Sequence, residues 1–69
     1  NIDDVGPGDR VVIHDDLLAT GGTAIAAAKL VIQQGAIVDG FSFVVELDFL
    51  KGRKRLDEFS KNINSIVKY

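Results

Sequence analysis

The chain has no cysteine, no methionine and no tryptophan, and only one proline and one tyrosine among its 69 residues. Without cysteine there is no disulfide and no thiolate metal site, which fits a cytoplasmic setting. Charge of one sign is also scarce: eight Lys and Arg stand against ten Asp and Glu, a net charge of −2. That balance gives no reason to expect nucleic acid or an anionic membrane as a partner. No apolar run is long enough to span a bilayer, and the opening residues do not read as a signal peptide. Internal repeats and low-complexity segments are lacking too. What remains is a chain 46% hydrophobic, ordinary for a globular piece rather than a disordered one. At this length it forms at most one small domain, burying only about 60% of its unfolded surface. It opens at Asn1 without an initiator Met and is expected to be a piece of a longer protein.

One stretch organises the rest: Val11-Val12-Ile13-His14-Asp15-Asp16-Leu17-Leu18-Ala19-Thr20-Gly21-Gly22-Thr23. Val11 to Ile13 is a β-branched run suited to a short strand covered on both faces. Asp15 and Asp16 are expected where that strand leaves the sheet. Gly21 and Gly22 permit backbone geometry closed to other residues, and Thr23 opens an alanine-rich helix. Ligands of open α/β sheets bind beyond the carboxyl ends of strands, and helix N-termini favour anions. The loop Ala19 to Thr23 offers backbone donors and two hydroxyls, without bulk, to a phosphate monoester. Two carboxylates beside a phosphate repel it unless something lies between. A sugar with adjacent hydroxyls serves, because ionised carboxylates accept what hydroxyls donate. The spacing suggests a ribose 5-phosphate, with its hydroxyls at Asp15 and Asp16 and its phosphate at Ala19, Thr20, Gly21, Gly22 and Thr23. A divalent cation could share the acid end. A P-loop is excluded, since Thr23 and not Lys follows Gly22, and the dinucleotide fingerprint is absent.

Around this stretch the chain reads as α/β. Val5-Gly6-Pro7-Gly8 is a turn, and Ile2 is the end of an earlier strand. Arg10 reads as a surface charge at a strand entry, and His14 as a residue that packs locally rather than a catalyst. The helix runs from Thr23 to Gln34 with Gly35 as its stop. Its polar stripe is thin, Lys29 and Gln33, so it is expected to be covered on more than one side. Ala36 to Val38 and Phe41 to Leu47 form the next strand, interrupted at Asp39 and Gly40, where a bulge is expected. Strand, helix and strand make a parallel βαβ unit. Glu46 reads as a polar residue at a strand end. Lys51 to Phe59 is a short helix with Leu50, Leu56 and Phe59 inward. Ile63, Ser65 and Val67 alternate with their neighbours in a last short strand.

The run from Asp15 to Thr23 resembles the phosphoribosyl pyrophosphate motif of the type I phosphoribosyltransferase family, in its adenine-specific form. Val45-Glu46-Leu47, then Leu50-Lys51-Gly52-Arg53 and Leu56, resembles that family's C-terminal part. The resemblance covers nearly the whole chain but only about two-fifths of a family member. It implies a partial Rossmann-like phosphoribosyltransferase fold: a βαβ unit plus a short C-terminal helix and strand. It implies purine salvage, the transfer of phosphoribosyl from phosphoribosyl pyrophosphate to adenine giving AMP and pyrophosphate. Mg²⁺ would enter with the pyrophosphate substrate, touching Asp15 and Asp16 at most through water. By resemblance Asp15, Asp16, Ala19, Thr20, Gly21, Gly22 and Thr23 bind substrate, Asp16 is a candidate general base, and the whole enzyme is a cytoplasmic homodimer. The family's flexible loop, base-binding hood and pyrophosphate loop are expected upstream, so residues 1–69 alone are expected to be inactive. Three alternatives stay open: transfer to another base, such as hypoxanthine, orotate or xanthine; a non-catalytic regulator that senses a nucleotide with the same fold; and a structural piece with no ligand.

Overall fold

The computed structural model describes residues 5–69; the strand end expected at Ile2 lies outside them. Three strands and two helices follow in the order β1 (Arg10–Leu18), α1 (Gly22–Gln33), β2 (Ile37–Glu46), α2 (Gly52–Leu56) and β3 (Ile63–Lys68). A 3₁₀ turn at Asp48–Leu50 leads into α2. The sheet order is β1-β2-β3, and both pairings are parallel. The α/β unit expected from the apolar runs is the one that forms.

Why this sheet? Phe41 and Phe43 alternate on the central strand and are fully buried, their rings near-parallel with centroids 6.3 Å apart. Ala24, Ala28 and Val31 from α1 close over the same core, joined by Leu56 from α2 and Ile63 from β3. Alanine at two of those three helix positions lets α1 lie close to the strands. Burying one large side chain of this kind is worth about 1.5–3 kcal/mol, so the aromatic pair dominates the packing.

Several expectations are corrected. First, β1 does not end at the acids: it continues to Leu18, because Leu17 and Leu18 still pair with Val45 and Glu46. The acid pair therefore lies inside the strand. Second, β1 is not covered on both faces among the described residues, since Val12 is 42% exposed. Third, α1 is covered on one side only: Leu30 and Ile32 are about half exposed. The helix also starts one residue earlier than expected, at Gly22.

The helix expected over Lys51 to Phe59 is shorter, Gly52–Leu56, and Leu50 before it is exposed rather than inward. Other readings hold. Val11 pairs with Val38 but Val12 pairs with Gly40, so Asp39 is the extra residue of a bulge. Arg10 reaches across to Asp39 at 2.6 Å. Both side chains are exposed, so this pair contributes at most about 1 kcal/mol. Pro7 and Gly8 form the expected turn, closed by the Asp9 amide donating to Gly6 oxygen at 3.1 Å. Gly35 ends α1, its amide donating to the Ile32 carbonyl at 2.9 Å. No helix among the described residues is long and apolar enough to cross a membrane.

Candidate functional site

The carboxyl end of β1 opens into a cavity of about 230 Å³ bordered by ten consecutive residues, Asp15 to Ala24. It holds every residue proposed from the sequence to bind a sugar phosphate. Asp15 and Asp16 border one end. The bend Ala19 to Gly21 and the first turn of α1 border the other.

Gly21 makes the turn from strand to helix. It has φ 90°, a left-handed conformation that disfavours any residue with a Cβ. Its carbonyl accepts the first helical bond, from the Ile25 amide at 2.8 Å. The amides of Gly22, Thr23 and Ala24 precede that bond, and no side chain of the N-cap residue satisfies them. They sit at the positive end of the helix dipole, where an anion gains both charge and hydrogen bonds.

The acids are placed differently from each other. They are neighbours on an extended strand, where successive side chains alternate in direction, yet both border the cleft. Asp15 is half-buried and Asp16 is exposed. One Asp15 carboxylate oxygen accepts the Asp16 amide at 2.8 Å, which fixes its orientation. No group of three or more acidic, His or Cys side chains converges on a cation among the described residues. The described residues thus do not cage a metal, and a cation would have to bring its other ligands with it. His14, on the same strand, is exposed.

The sequence did not reveal what supports this bend. Helix α2 lies behind it. A Cβ placed on Gly52 would collide with the carbonyl oxygen of Ala19 and lie 2.8 Å from Leu18 and 3.0 Å from the Gly21 amide nitrogen. Arg55 donates from Nη1 to the carbonyl of Thr20 at 2.8 Å. Both residues lie in a run that reads from sequence only as a basic cluster.

Glu46 closes β2, as expected of a polar residue at a strand end, but its carboxylate is buried, 1% exposed. Arg53 meets it with two bonds, Nη2 to Oε1 at 2.6 Å and Nε to Oε2 at 3.1 Å. The Ser65 hydroxyl donates to Oε1 at 2.6 Å, and Arg53 Nη1 donates to the Ile63 carbonyl at 2.8 Å. One acid thereby ties α2 to the ends of β2 and β3. A lone acid closing an apolar strand, seven residues before an arginine, was the available signal.

The hydrogen bond from Arg53, outweighing burial, holds the Glu46 carboxyl below its ordinary value of 4.5. A lowered folded-state pKa means that the pair's contribution is complete above the unfolded value and fades as pH falls through the lower folded one. Wild type is therefore expected to lose more stability than Glu46→Gln between about pH 5 and about pH 3. Thermal melts of both proteins across that range check it; parallel curves would show that Glu46 is not involved.

The chain matches no family model. It is 54% identical over 67 residues to the adenine phosphoribosyltransferase of Nitrosococcus oceani, covering 97% of this chain and 38% of that protein. The crystal structure of the enzyme of that name from Thermoanaerobacter pseudethanolicus superposes with a TM-score of 0.89 at 55% identity, over all of this chain and 40% of that one. A third, from Trypanosoma brucei in complex with AMP, pyrophosphate and ribose-5-phosphate, gives 0.80 at 32% identity, over 91% of this chain and 29% of that one. The chain thus spans about two-fifths, or less, of the length of these relatives. Sequence, strand order and motif agree: over nearly its whole length the chain is similar to one portion of adenine phosphoribosyltransferases.

Proposed function

We propose that the cavity at the end of β1 is the ribose 5-phosphate subsite of an enzyme that moves phosphoribosyl from phosphoribosyl pyrophosphate to adenine. One observation carries this reading. A carboxylate pair and an uncapped helix N-terminus border the same small cleft. At about 230 Å³ it is smaller than the roughly 300–1,000 Å³ typical of pockets for drug-sized ligands. That suits a sugar phosphate, with the base held by other parts of the protein. The Trypanosoma brucei relative, crystallised with AMP, pyrophosphate and ribose-5-phosphate, supports the same ligand class.

In this reading the Gly22, Thr23 and Ala24 amides bind the 5-phosphate, joined by the bend from Ala19 and by the Thr20 and Thr23 hydroxyls. Asp15 and Asp16 accept hydrogen bonds from the ribose hydroxyls. In the reaction the anomeric carbon–oxygen bond to pyrophosphate breaks and a carbon–nitrogen bond to adenine forms. Positive charge grows on the sugar between these events. Anchoring the sugar at both ends holds that carbon in place for the incoming base, and the nearby carboxylates stabilise the growing charge. Asp16, exposed at the cleft, is the candidate to take up the adenine proton. Mg²⁺ would enter this reading with the pyrophosphate substrate, and Asp15 and Asp16 would reach it at most through water. The homodimer and cytoplasmic setting belong to it as well.

The test uses the full chain. Asp15→Asn is expected to lower kcat/KM by about 10- to 100-fold, since a hydrogen bond to a charged group is worth about 1.5–3 kcal/mol. Steady-state assays with adenine and phosphoribosyl pyrophosphate measure it. An unchanged kcat/KM removes the ribose assignment.

A further inference from the structure

We infer that Gly52 and Arg55 of α2 are positioning residues for the phosphate-binding bend: they hold Ala19 to Gly21 with carbonyls turned back and amides turned out. This rests on the reading of that bend as a phosphate site. The carbonyl oxygen of Ala19 is pressed against Gly52, and that of Thr20 accepts from Arg55 at 2.8 Å. Two successive carbonyls therefore point at the same short helix. The peptides are trans, so each amide hydrogen points opposite to the carbonyl of its own peptide unit. The Thr20 and Gly21 amides accordingly face away from α2.

This arrangement is not self-sustaining. Gly21, at φ 90°, is the residue type that populates both signs of φ about equally. The peptide joining Thr20 to Gly21 is therefore free to flip at little intrinsic cost. A flip would swing the Thr20 carbonyl, with its partial negative charge, toward the side where the phosphate is held. Two contacts oppose it. Arg55 binds the carbonyl in its present direction, and Gly52 leaves room for the bend to lie flat against α2. A Cβ at position 52 would push the Ala19 carbonyl and Gly21 out of place, because backbone atoms rather than a flexible side chain stand in its way. The position of α2 is fixed in turn by the neighbouring Arg53, through its two bonds to buried Glu46. A line of contact thus runs from the carboxyl end of β2, where Glu46 pairs with Leu18, through α2 to the floor of the cleft.

The experiment is calorimetric titration of the full chain with ribose 5-phosphate and, separately, with adenine, for wild type, Arg55→Met, Arg55→Lys and Gly52→Ala. Arg55→Met is expected to raise Kd for ribose 5-phosphate about tenfold. Arg55→Lys, which keeps a donor for Thr20, is expected to return it to within about threefold of wild type. Adenine affinity and Tm of both Arg55 variants stay at wild-type values. Gly52→Ala is expected to match Arg55→Met for the sugar phosphate; should it not fold, the Arg55 pair decides alone. Unchanged ribose 5-phosphate affinity in Arg55→Met overturns the inference, and so does an equal loss for adenine. A wild type that does not bind ribose 5-phosphate overturns the phosphate-site reading and this inference together. A wild type that binds it, beside variants that bind it equally well, overturns this inference alone.

Discussion

Arg53→Met is expected to lower the unfolding free energy of the full chain by about 3 kcal/mol. The reason lies in its partner. Glu46 is 1% exposed and accepts from Arg53 and Ser65. Removing the guanidinium leaves a buried carboxylate with one hydroxyl for company. Such losses run from about 3 to 5 kcal/mol. The lower end applies here because the Arg53 side chain is 34% exposed and water already reaches part of it. Methionine keeps the length and most of the packing, so the loss reports on charge rather than on a hole. Glu46→Gln combined with Arg53→Met is expected to recover part of the loss, since no lone charge then remains inside. Urea denaturation of the three proteins measures both effects. A loss below about 1 kcal/mol would mean that the pair behaves like a surface ion pair.

Leu18→Ala is expected to cost about 3 kcal/mol, within the range of roughly 2–5 for Leu→Ala in a packed interior. Leu18 is the last residue of β1 and is 1% exposed. Its methyl would stand 2.8 Å from a Cβ on Gly52, so it fills the space where β1 meets α2. The variant leaves a void directly beneath the cleft. Ribose 5-phosphate affinity is therefore expected to fall with stability, whereas truncating Phe41, buried in the central strand, should cost stability with little effect on that affinity. Denaturation and titration of the two variants side by side separate these outcomes. Equal effects on affinity would show that the bend does not lean on Leu18.

Much of this was legible in the amino-acid pattern. The runs at Val11 to Ile13 and Phe41 to Leu47, with an alanine-rich helix between them, announce a parallel pair because each is a local signal. Asp39 was readable as a bulge, being a polar break in an apolar strand. Asp15 through Thr23 was readable as one string because its residues are contiguous, and the cleft is bordered by that same contiguous run. The misses share a different cause. The length of β1 was set by pairing with β2, which carries Leu17 and Leu18 along beyond the acids. The burial of Glu46 depends on Arg53 and Ser65, 7 and 19 residues away. Arg55 reaches Thr20 across 35 residues. Contacts of that span leave no periodicity for a reader of the sequence to find. The helix faces at Leu30 and Ile32 misled because apolarity alone does not say whether a neighbour stands there.

The all-parallel sheet also dictates how the molecule comes together. No two of its strands can zip up through a tight hairpin, so each pairing must first close a long stretch of chain. Such topologies pay an entropic toll before any contact rewards it, and they fold slowly. The bend at Ala19 to Gly21 meets its support only once α2, some thirty residues later, has docked. Competence to hold an anion should therefore arrive late, after the secondary structure has already formed.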